Sequence, residues 1–507
     1  MLKTQIGTFY KKNEEIILII FLHLLITIPL AYLLNVWYDE SCSLSTSNGS
    51  IFHTIKRSFD FEYQPPFYFV LLNLWRKFDD SYFFARLLSI FFSSASLFIS
   101  YKFIKQYLMI KKPGFVTFLI AINPFLIIYA LEIRLYTLVI FLSASLIFLM
   151  YEIYFFDNKS KIYRIIFMAL SIISLYTQYY TGFLLIGIGI SVLIYKGWNK
   201  FKVYLIDMIF PVLSILGLIP FLNSISKQIV LGGETAVNLT TSGIIEFVKG
   251  RMVTYLFSLD TSALDFLSRY EVWLFILLLC AIFLISIKNQ VKELIKVITF
   301  RKYSTLPIVI VLFLSFVLIV IKFDPEMAAI RHTAILFLPL IYLAASLIFI
   351  TTNKKYIIFW FLLFTILYSS SLINKFSLPL AKEGDAIRIS KYLEYWEKPN
   401  ELILTPYDII AMPLRVHYKG INPIISLTDS LSTEKSKRAL IKTINNKSEY
   451  CWWDCPTPYP TWEKILKQIK VSEKFIFENF IVIDKKEFNK MKLWYLKRKD
   501  KKTANSQ

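Results

Sequence analysis

Residues 113–156 read PGFVTFLIAINPFLIIYALEIRLYTLVIFLSASLIFLMYEIYFF, two long apolar runs separated by Glu132-Ile133-Arg134. A helix needs about 20 apolar residues to cross a bilayer, and each run is close to that length. Charged side chains beside hydrocarbon are costly, so they usually face protein or a polar cavity. The segment therefore predicts two membrane helices joined by a short polar turn.

The rest of the chain has the same character. Of its 507 residues 56% are hydrophobic and 18% are charged, and the mean hydropathy is +0.54. Soluble proteins have about 45–50% apolar and about 25% charged residues, so disorder, a coiled coil and a set of soluble domains are excluded. Eleven membrane spans are predicted, at 16–36, 83–104, 113–131, 136–156, 163–180, 182–196, 204–223, 271–287, 305–322, 332–350 and 356–374.

The charges divide the chain into two predicted domains. Residues 375–507 carry 41 of the charged residues in 133 positions, so we expect a membrane domain over 1–374 followed by a soluble domain over 375–507. The soluble domain reads as α/β, with a helix at 387–396 and strands at 401–406 and 475–482. The fold class is thus mainly α: a polytopic helical bundle with a C-terminal α/β domain.

Two long loops interrupt the membrane domain, at 37–82 and 224–270. Within the first, the apolar stretch of 65–77 is too short to span a bilayer. The pair Pro65-Pro66 suits a helix start, where the missing N–H would have no partner in any case. We expect 65–77 to be a helix lying in the membrane interface.

The net charge of +21 becomes a topology signal once it is sorted by segment. With the N-terminus inside, the inner segments hold 20 Lys/Arg and 6 Asp/Glu, and the outer loops of the membrane domain hold 12 and 14. This bias follows the positive-inside rule. It predicts a multi-pass plasma (inner) membrane protein with a cytoplasmic N-terminus and an extracytoplasmic C-terminal domain, surrounded by membrane lipids, and it removes the nucleic-acid interpretation of the charge.

Adjacent carboxylates, Asp39 and Glu40, follow the first span on the outer side. An acid at the membrane surface can act as a general base toward a hydroxyl. The alternative is that one of them caps the following helix. No His/Cys/Asp cluster has metal-ligand spacing, so no obligatory metal is expected. A divalent cation held by the two acids is the alternative.

The other polar residues of the outer face include two arginines, Arg134 and Arg331. Arginine suits phosphate because its planar fork of donors stays charged. The alternatives are a Glu132–Arg134 ion pair and headgroup contacts of either arginine. Aromatic, amide and imidazole groups accompany them, with an interfacial aromatic belt as the alternative for the tyrosines: Tyr136, Tyr176, Gln178, Tyr179 and His332. Their convergence on one face suits a lipid-linked phosphate substrate.

The ordered motifs resemble those of family 39 glycosyltransferases in the GT-C superfamily, which include protein O-mannosyltransferases and lipid A aminoarabinose transferases. The resemblance covers about residues 1–350 and rests on Asp39-Glu40, Gln64-Pro65-Pro66-Phe67-Tyr68, Arg86-Leu87-Leu88-Ser89, Glu132-Ile133-Arg134-Leu135-Tyr136, Tyr176-Thr177-Gln178-Tyr179 and Arg331. It implies a GT-C fold and transfer of a sugar from a polyprenyl-phosphate donor to a glycan, lipid or protein acceptor outside the cytoplasm.

The resemblance also implies roles for individual residues. Asp39 would be the general base, and Glu40 would orient it or bind sugar. Arg134 and Arg331 would hold the departing lipid phosphate, and Pro65-Pro66 would shape the cavity. The family commonly has His or Lys before the Pro pair, whereas this chain has Gln64, which can donate a hydrogen bond but carries no charge.

Two other classes of function compete with the transferase interpretation. A transporter or flippase of lipid-linked sugars would show internal repeats and charges near the membrane midplane. No clear repeat is visible, and the charges collect at one face. A ligase or polymerase of lipid-linked glycans would rely on other residues of the outer loops.

Overall fold

The structure, a computed structural model, describes residues 2–108, 110, 112–221, 241–257, 305–322, 329–348, 354–376, 380, 382, 384–431, 433–456 and 463–499. The chain forms two compact units. The first contains Met1–Tyr32 and Thr46–Lys375, and the second contains Leu33–Ser45 and Phe376–Gln507. The predicted span 271–287 and much of the predicted loop 224–270 lie outside the described residues.

Helices make up the first unit wherever it is described. Helices α1 to α8 are Leu2–Leu33, Tyr38–Thr46 (which begins in the second unit), Ile51–Asp60, Phe67–Arg76, Tyr82–Phe103, Pro113–Ala121, Pro124–Ala130 and Tyr136–Met150. Helices α9 to α15 are Lys161–Leu175, Thr181–Asp207, Ile209–Ser214, Thr241–Met252, Leu306–Lys322, Phe337–Ile348 and Lys354–Lys375. Single π-helical turns at Ile104–Leu108, Tyr151–Phe155 and Val253–Phe257 extend α5, α8 and α12.

Several of these helices are built to cross a bilayer. Within the described ranges, five are long and apolar enough, at Asn13–Leu33, Tyr82–Leu108, Tyr136–Phe155, Thr181–Ile219 and Ile357–Lys375. Helices α6 and α7 make a sixth if they form one span that bends by 52°. Leu306–Ile321 and Ala334–Ile348 are shorter apolar helices. The chain is an integral membrane protein of helical type, and the eleven crossings stay a prediction.

The first predicted loop differs from the sequence prediction. The loop 37–82 holds three helices, α2 to α4, rather than the single interfacial one. Its last helix, α4, starts directly after Pro66 at the N-cap, so the Pro pair marks a helix start as predicted.

The structure has a break between the predicted spans 182–196 and 204–223. Thr181–Asp207 consists of two helices that meet at a kink at Gly197, whose φ of 75° glycine adopts without steric cost.

A glycine also allows a close contact between two helices of the first unit. A β-carbon on Gly187 of α10 would lie 2.9 Å from the Cα of Ile308 on α13. The two backbones can approach this closely because glycine has no side chain, as in the small-residue interfaces of membrane helices.

The second unit is an α/β domain. Its helices α16 to α20 are Ala386–Trp396, Asp408–His417, Leu427–Ser430, Glu434–Asn445 and Glu463–Asn479. Strands β1 to β5 are Leu402–Thr405, Ile424–Ser426, Tyr450–Pro456, Phe480–Phe488 and Met491–Arg498, in the order β2-β1-β3-β5-β4. β1 runs parallel to β2 and β3, whereas β5 is antiparallel to β3 and β4.

Alternate side chains of the central strands belong to two different hydrophobic cores. Leu404 and Trp453 belong to the core that includes α19 and α20, and Ile403 and Trp452 to the core that includes α16 and α17. The predicted helix and first strand of this domain match α16 and β1. The predicted strand 475–482 is wrong in its first half, because residues up to Asn479 continue α20 and bury Phe475 in the first core.

Strand β3 carries three buried titratable groups. Cys451 and Cys455 are free thiols. Four residues of strand separate them by about 13 Å, too far for a disulfide. Burial raises the pKa of both thiols. Burial, and then the nearby Asp385 carboxylate, raise the pKa of Asp454 to about 8.

Candidate functional site

Arg134 lies in the turn after α7, and contacts with two other segments fix the position of this turn. Ser89 of α5 donates a hydrogen bond to the Glu132 carbonyl at 2.5 Å. The Arg134 guanidinium pairs with the Glu62 carboxylate at 2.7 Å, and both side chains are buried. Thr46 donates to the other oxygen of Glu62 at 3.2 Å. Glu62, which the sequence did not single out, is therefore an ion-pair partner of Arg134.

His332 marks the point where three arginines converge. It lies within electrostatic range of Arg331, Arg134 and Arg251. The Arg331 Nε donates to the His332 Nε2 at 3.4 Å. The side-chain amide of Gln178 donates to the His332 carbonyl at 3.3 Å, which ties the turn after α9 to the same place.

Arg251 was not among the residues that the sequence singled out. It lies at the end of α12, just before the π-helical turn Val253–Phe257. Tyr255 of that turn bonds the Ile330 carbonyl at 3.2 Å and the Thr333 hydroxyl, beside His332. These contacts bring Arg251 to the arginine cluster. Single π-helical turns occur frequently at functional sites, but the local sequence has no pattern that distinguishes Arg251 from Lys249.

Aromatic rings form one wall of the cluster. The rings of Tyr136 and Tyr180 lie edge-on to the His332 ring, at 6.3 Å and 6.4 Å between centroids. Tyr129 packs against Tyr136 at 5.0 Å and lies within electrostatic range of Arg331. The arginines therefore face a partly apolar surrounding, where a charge interaction is stronger than in water.

The Pro-Pro segment and the tyrosine turn meet in the first unit. The Phe67 N–H, next to Pro65-Pro66, donates to the Tyr176 carbonyl at 2.9 Å. Gln64 is buried just before the prolines. In the same turn, the Gln178 Oε1 and the Tyr179 hydroxyl are buried and have no hydrogen-bond partner among the described residues. Two such atoms are suited to a bound polar ligand.

Asp39 and Glu40 belong to the second unit and have different surroundings. Glu40 is fully buried, accepts a hydrogen bond from the Trp37 N–H at 3.2 Å, and pairs with Lys382 at 3.1 Å. The first contact is half of a helix capping box, so the cap alternative holds for Glu40. Asp39 is only partly buried. The two adjacent acids therefore differ: Glu40 has a structural role, whereas Asp39 is partly accessible to solvent.

The segment that carries the two acids is held firmly within the second unit. Asn35 accepts from the Lys382 N–H at 2.7 Å and donates to the Lys382 carbonyl at 2.6 Å. The Val36 N–H donates to the His417 ring at 2.9 Å. Across the described ranges, no three His, Cys, Asp or Glu side chains form a group that could hold a metal ion.

The chemistry of the arginine cluster is that of an anion site. Guanidinium groups favour phosphate because they offer several donors in a fixed plane. Within the described part of the first unit, the Glu62 carboxylate pairs with the Arg134 guanidinium of the cluster. The predicted residues Glu132, Arg134, Tyr136, Gln178, Arg331 and His332 come together here.

Comparisons with known proteins give a fold. No family model matches the sequence, and no curated protein does. The crystal structure of ArnT from Cupriavidus metallidurans bound to undecaprenyl phosphate matches with a TM-score of 0.56 and 9% identity, over 95% of this chain and 98% of that one. The apo state of the same protein has a TM-score of 0.45 and 9% identity, over 96% and 98%.

The chain has the fold of ArnT. This confirms the predicted combination of a mainly helical unit with a smaller α/β unit. At 9% identity the likeness to ArnT concerns the fold and not the chemistry. Membership of family 39 and the resemblance to O-mannosyltransferases stay predictions.

Proposed function

We propose that the protein is a membrane glycosyltransferase that takes a sugar from an undecaprenyl-phosphate-type donor. The observation that carries the proposal is that Arg331 contacts His332 at 3.4 Å and that the charges of Arg134 and Arg251 also act on the His332 ring. Support comes from the fold shared with ArnT, whose crystal structure holds undecaprenyl phosphate. The acceptor is a hydroxyl of a glycan, lipid or protein on the outer face of the inner membrane.

The proposed reaction is a displacement at the anomeric carbon of the donor sugar. The bond between that carbon and the phosphate oxygen breaks, and the departing lipid phosphate takes the bonding electrons. The arginine cluster stabilises the negative charge that develops on this oxygen. In our proposal, Asp39 takes the proton of the acceptor hydroxyl, whose oxygen forms the new bond to carbon.

Substrate positioning falls to the remaining predicted residues. We assign the buried polar atoms of Gln178 and Tyr179 to the sugar hydroxyls, and Tyr176 to the support of the Pro65-Pro66 segment. Gln64 is a neutral hydrogen-bond donor in this scheme. Glu40 keeps the structural role that its contact with Lys382 gives it.

A transfer assay tests the proposal. Purified protein receives a radiolabelled undecaprenyl-phosphate sugar and an extract of outer-face acceptors. Wild type should transfer the label, and Arg251→Gln and Arg331→Gln should each lose about 100-fold or more, the scale of removing one oxyanion donor. Arg415→Gln, which changes a half-exposed arginine paired with Asp408 in the second unit, is the control and should transfer normally.

Two results would contradict the proposal. Label that crosses a reconstituted bilayer while the sugar–phosphate bond stays intact would identify a flippase. Transfer that survives both arginine changes at the wild-type rate would remove the phosphate role of the cluster.

A further inference from the structure

The exposed face of α20 combines basic and apolar side chains. Three of its exposed residues are lysines, Lys467, Lys470 and Lys474, and two are large apolar residues, Val471 and Phe477. At about 100° per residue these five positions fall within an arc of about 120°. The opposite side of the helix is buried and includes Ile469 and Ile476. The helix therefore has a buried apolar face and an exposed face that carries both basic and apolar side chains.

The apolar part of this surface continues into the next element. Val471 is 51% exposed and Phe477 43%, and Ile481, at the start of edge strand β4, is 52% exposed. α20 runs directly into β4 at Phe480. Clustered apolar side chains that remain exposed on a folded domain mark a surface that contacts something else.

We propose that this outer face of α20, together with the start of β4, docks on the headgroup region of a bilayer that contains anionic phospholipid. The pattern is that of interfacial helices, in which lysines meet the anionic headgroups while apolar side chains enter the boundary of the acyl chains. Each lysine near an anionic surface contributes favourably, and the contributions are lost as salt screens them.

The composition favours lipid over a protein partner. Lysine is depleted at protein–protein interfaces relative to the rest of the surface, whereas this face has three in two turns. On the face itself, Glu478 pairs with Lys474 at 3.9 Å, which leaves Lys467 and Lys470 as further cations of the face. Further along β4, Asp484, Lys485, Lys486 and Glu487 are exposed, and charged residues on an edge strand oppose pairing with a second copy.

A matched basic stripe in the same domain provides the control. Lys435, Arg438 and Lys442 of α19 have the same i, i+3, i+7 spacing and are also exposed. Ile441, 37% exposed, is the one large apolar side chain of α19 that is exposed. Charge alone would make the two helices equivalent, whereas combined charge and apolar contact would distinguish them.

Hydrogen exchange of the full-length protein in lipid nanodiscs tests the proposal. Discs of phosphatidylcholine alone are compared with discs that contain phosphatidylglycerol. Amides of α20 and the start of β4 should exchange about tenfold more slowly in the anionic discs, and the difference should disappear at high salt. Lys467→Gln/Lys470→Gln/Lys474→Gln should abolish the difference, and Lys435→Gln/Arg438→Gln/Lys442→Gln should preserve it. Amides of β3 report whether each variant is folded.

Three outcomes would overturn the proposal. Exchange in α20 could be identical in the two lipids. The α19 variant could remove the protection as fully as the α20 variant, which would reduce the effect to net charge. Protection that depends on the number of protein copies per disc, and not on phosphatidylglycerol, would identify a second copy of the chain as the occupant. The proposal does not depend on the transferase activity, so a failure of either leaves the other standing.

Discussion

At the scale of single residues, the neighbouring carboxylates Asp39 and Glu40 have different roles. Both are carboxylates in the first turn of α2. Glu40 is buried and forms an ion pair with Lys382. This ion pair holds the segment 33–45 to the rest of the second unit. Asp39 has access to solvent and remains the side chain for which we propose chemistry.

Matched substitutions should separate these tasks. Asp39→Asn should lower sugar transfer by about 100-fold or more, the range of a lost general base, and leave the unfolding temperature unchanged. Glu40→Gln should destabilise the second unit by about 3 kcal/mol, because it removes the buried carboxylate that pairs with the mostly buried Lys382 ammonium. Differential scanning fluorimetry and the transfer assay are run on the same preparations. Equal loss of stability in both variants would contradict the distinction, and Glu40→Gln/Lys382→Met should recover part of the stability.

Helices and strands were predictable where local pattern determines them. The apolar runs predicted helices such as α5 and α8, and the Pro pair predicted the start of α4. The sequence did not show Arg134 paired with Glu62, because the two residues lie 72 positions apart and nothing local links them. Arg251 was missed for the same reason, since its relation to His332 exists only in the folded chain. The helical end of 475–482 escaped prediction because buried β-type residues also suit one face of a helix.

The contact between α10 and α13 leads to a prediction for the helix pair. Gly187→Ala should destabilise the first unit by about 1–3 kcal/mol, since the new methyl group would overlap the Ile308 backbone. Gly182→Ala on the same helix is the control. Its β-carbon would meet only a Leu175 methyl, at an ordinary 3.8 Å. Thermal unfolding in detergent measures both, and equal melting temperatures would show that the helices can separate without cost.

Strand β3 should make the second unit sensitive to pH through Asp454. The pKa of this buried carboxyl is raised from 3.8 to about 8, so the folded unit keeps a proton that the unfolded chain releases. Its contribution to stability is complete below pH 3.8 and is lost as the pH rises toward 8. The free energy of unfolding should therefore fall by up to about 1.4 kcal/mol for each pH unit in this window.

Asp454→Asn should remove this pH dependence. The amide stays neutral at every pH. The free energy of unfolding of the variant should therefore increase relative to that of wild type as the pH rises from 5 to 8. Hydrogen exchange of β3 peptides, corrected for the intrinsic rate at each pH, gives the stability. Parallel profiles for the two proteins would mean that Asp454 is already ionised in the folded unit.

The whole molecule combines a helical membrane unit with an α/β unit, and its predicted orientation rests on the lysine distribution alone. Sorting the charges predicts that residues 157–164 are cytoplasmic and that the second unit is extracytoplasmic. The fold shared with ArnT does not include this information, because the fold is the same whichever side faces the cytoplasm.

Cysteine labelling checks the orientation. Cys42, Cys451 and Cys455 are buried, so reactive thiols can be introduced at exposed positions once Cys280 is replaced by serine. Lys442→Cys should react with a membrane-impermeant maleimide in intact spheroplasts, and Lys161→Cys only after lysis. The reverse pattern would place the second unit in the cytoplasm.

The pairing of Asn35 with Lys382 also has a consequence for biosynthesis. The two residues are 347 positions apart, so a ribosome working at about 5–20 residues per second needs about 20–70 s to supply the partner. During that time the segment 33–45, which follows α1, has not yet met Lys382. Its polar groups are then exposed to water or to a chaperone. The second unit can close only after the membrane helices between its two parts have been translated. A truncation before Lys382 would leave the early segment permanently incomplete, so quality control of this protein should depend on the last quarter of its chain.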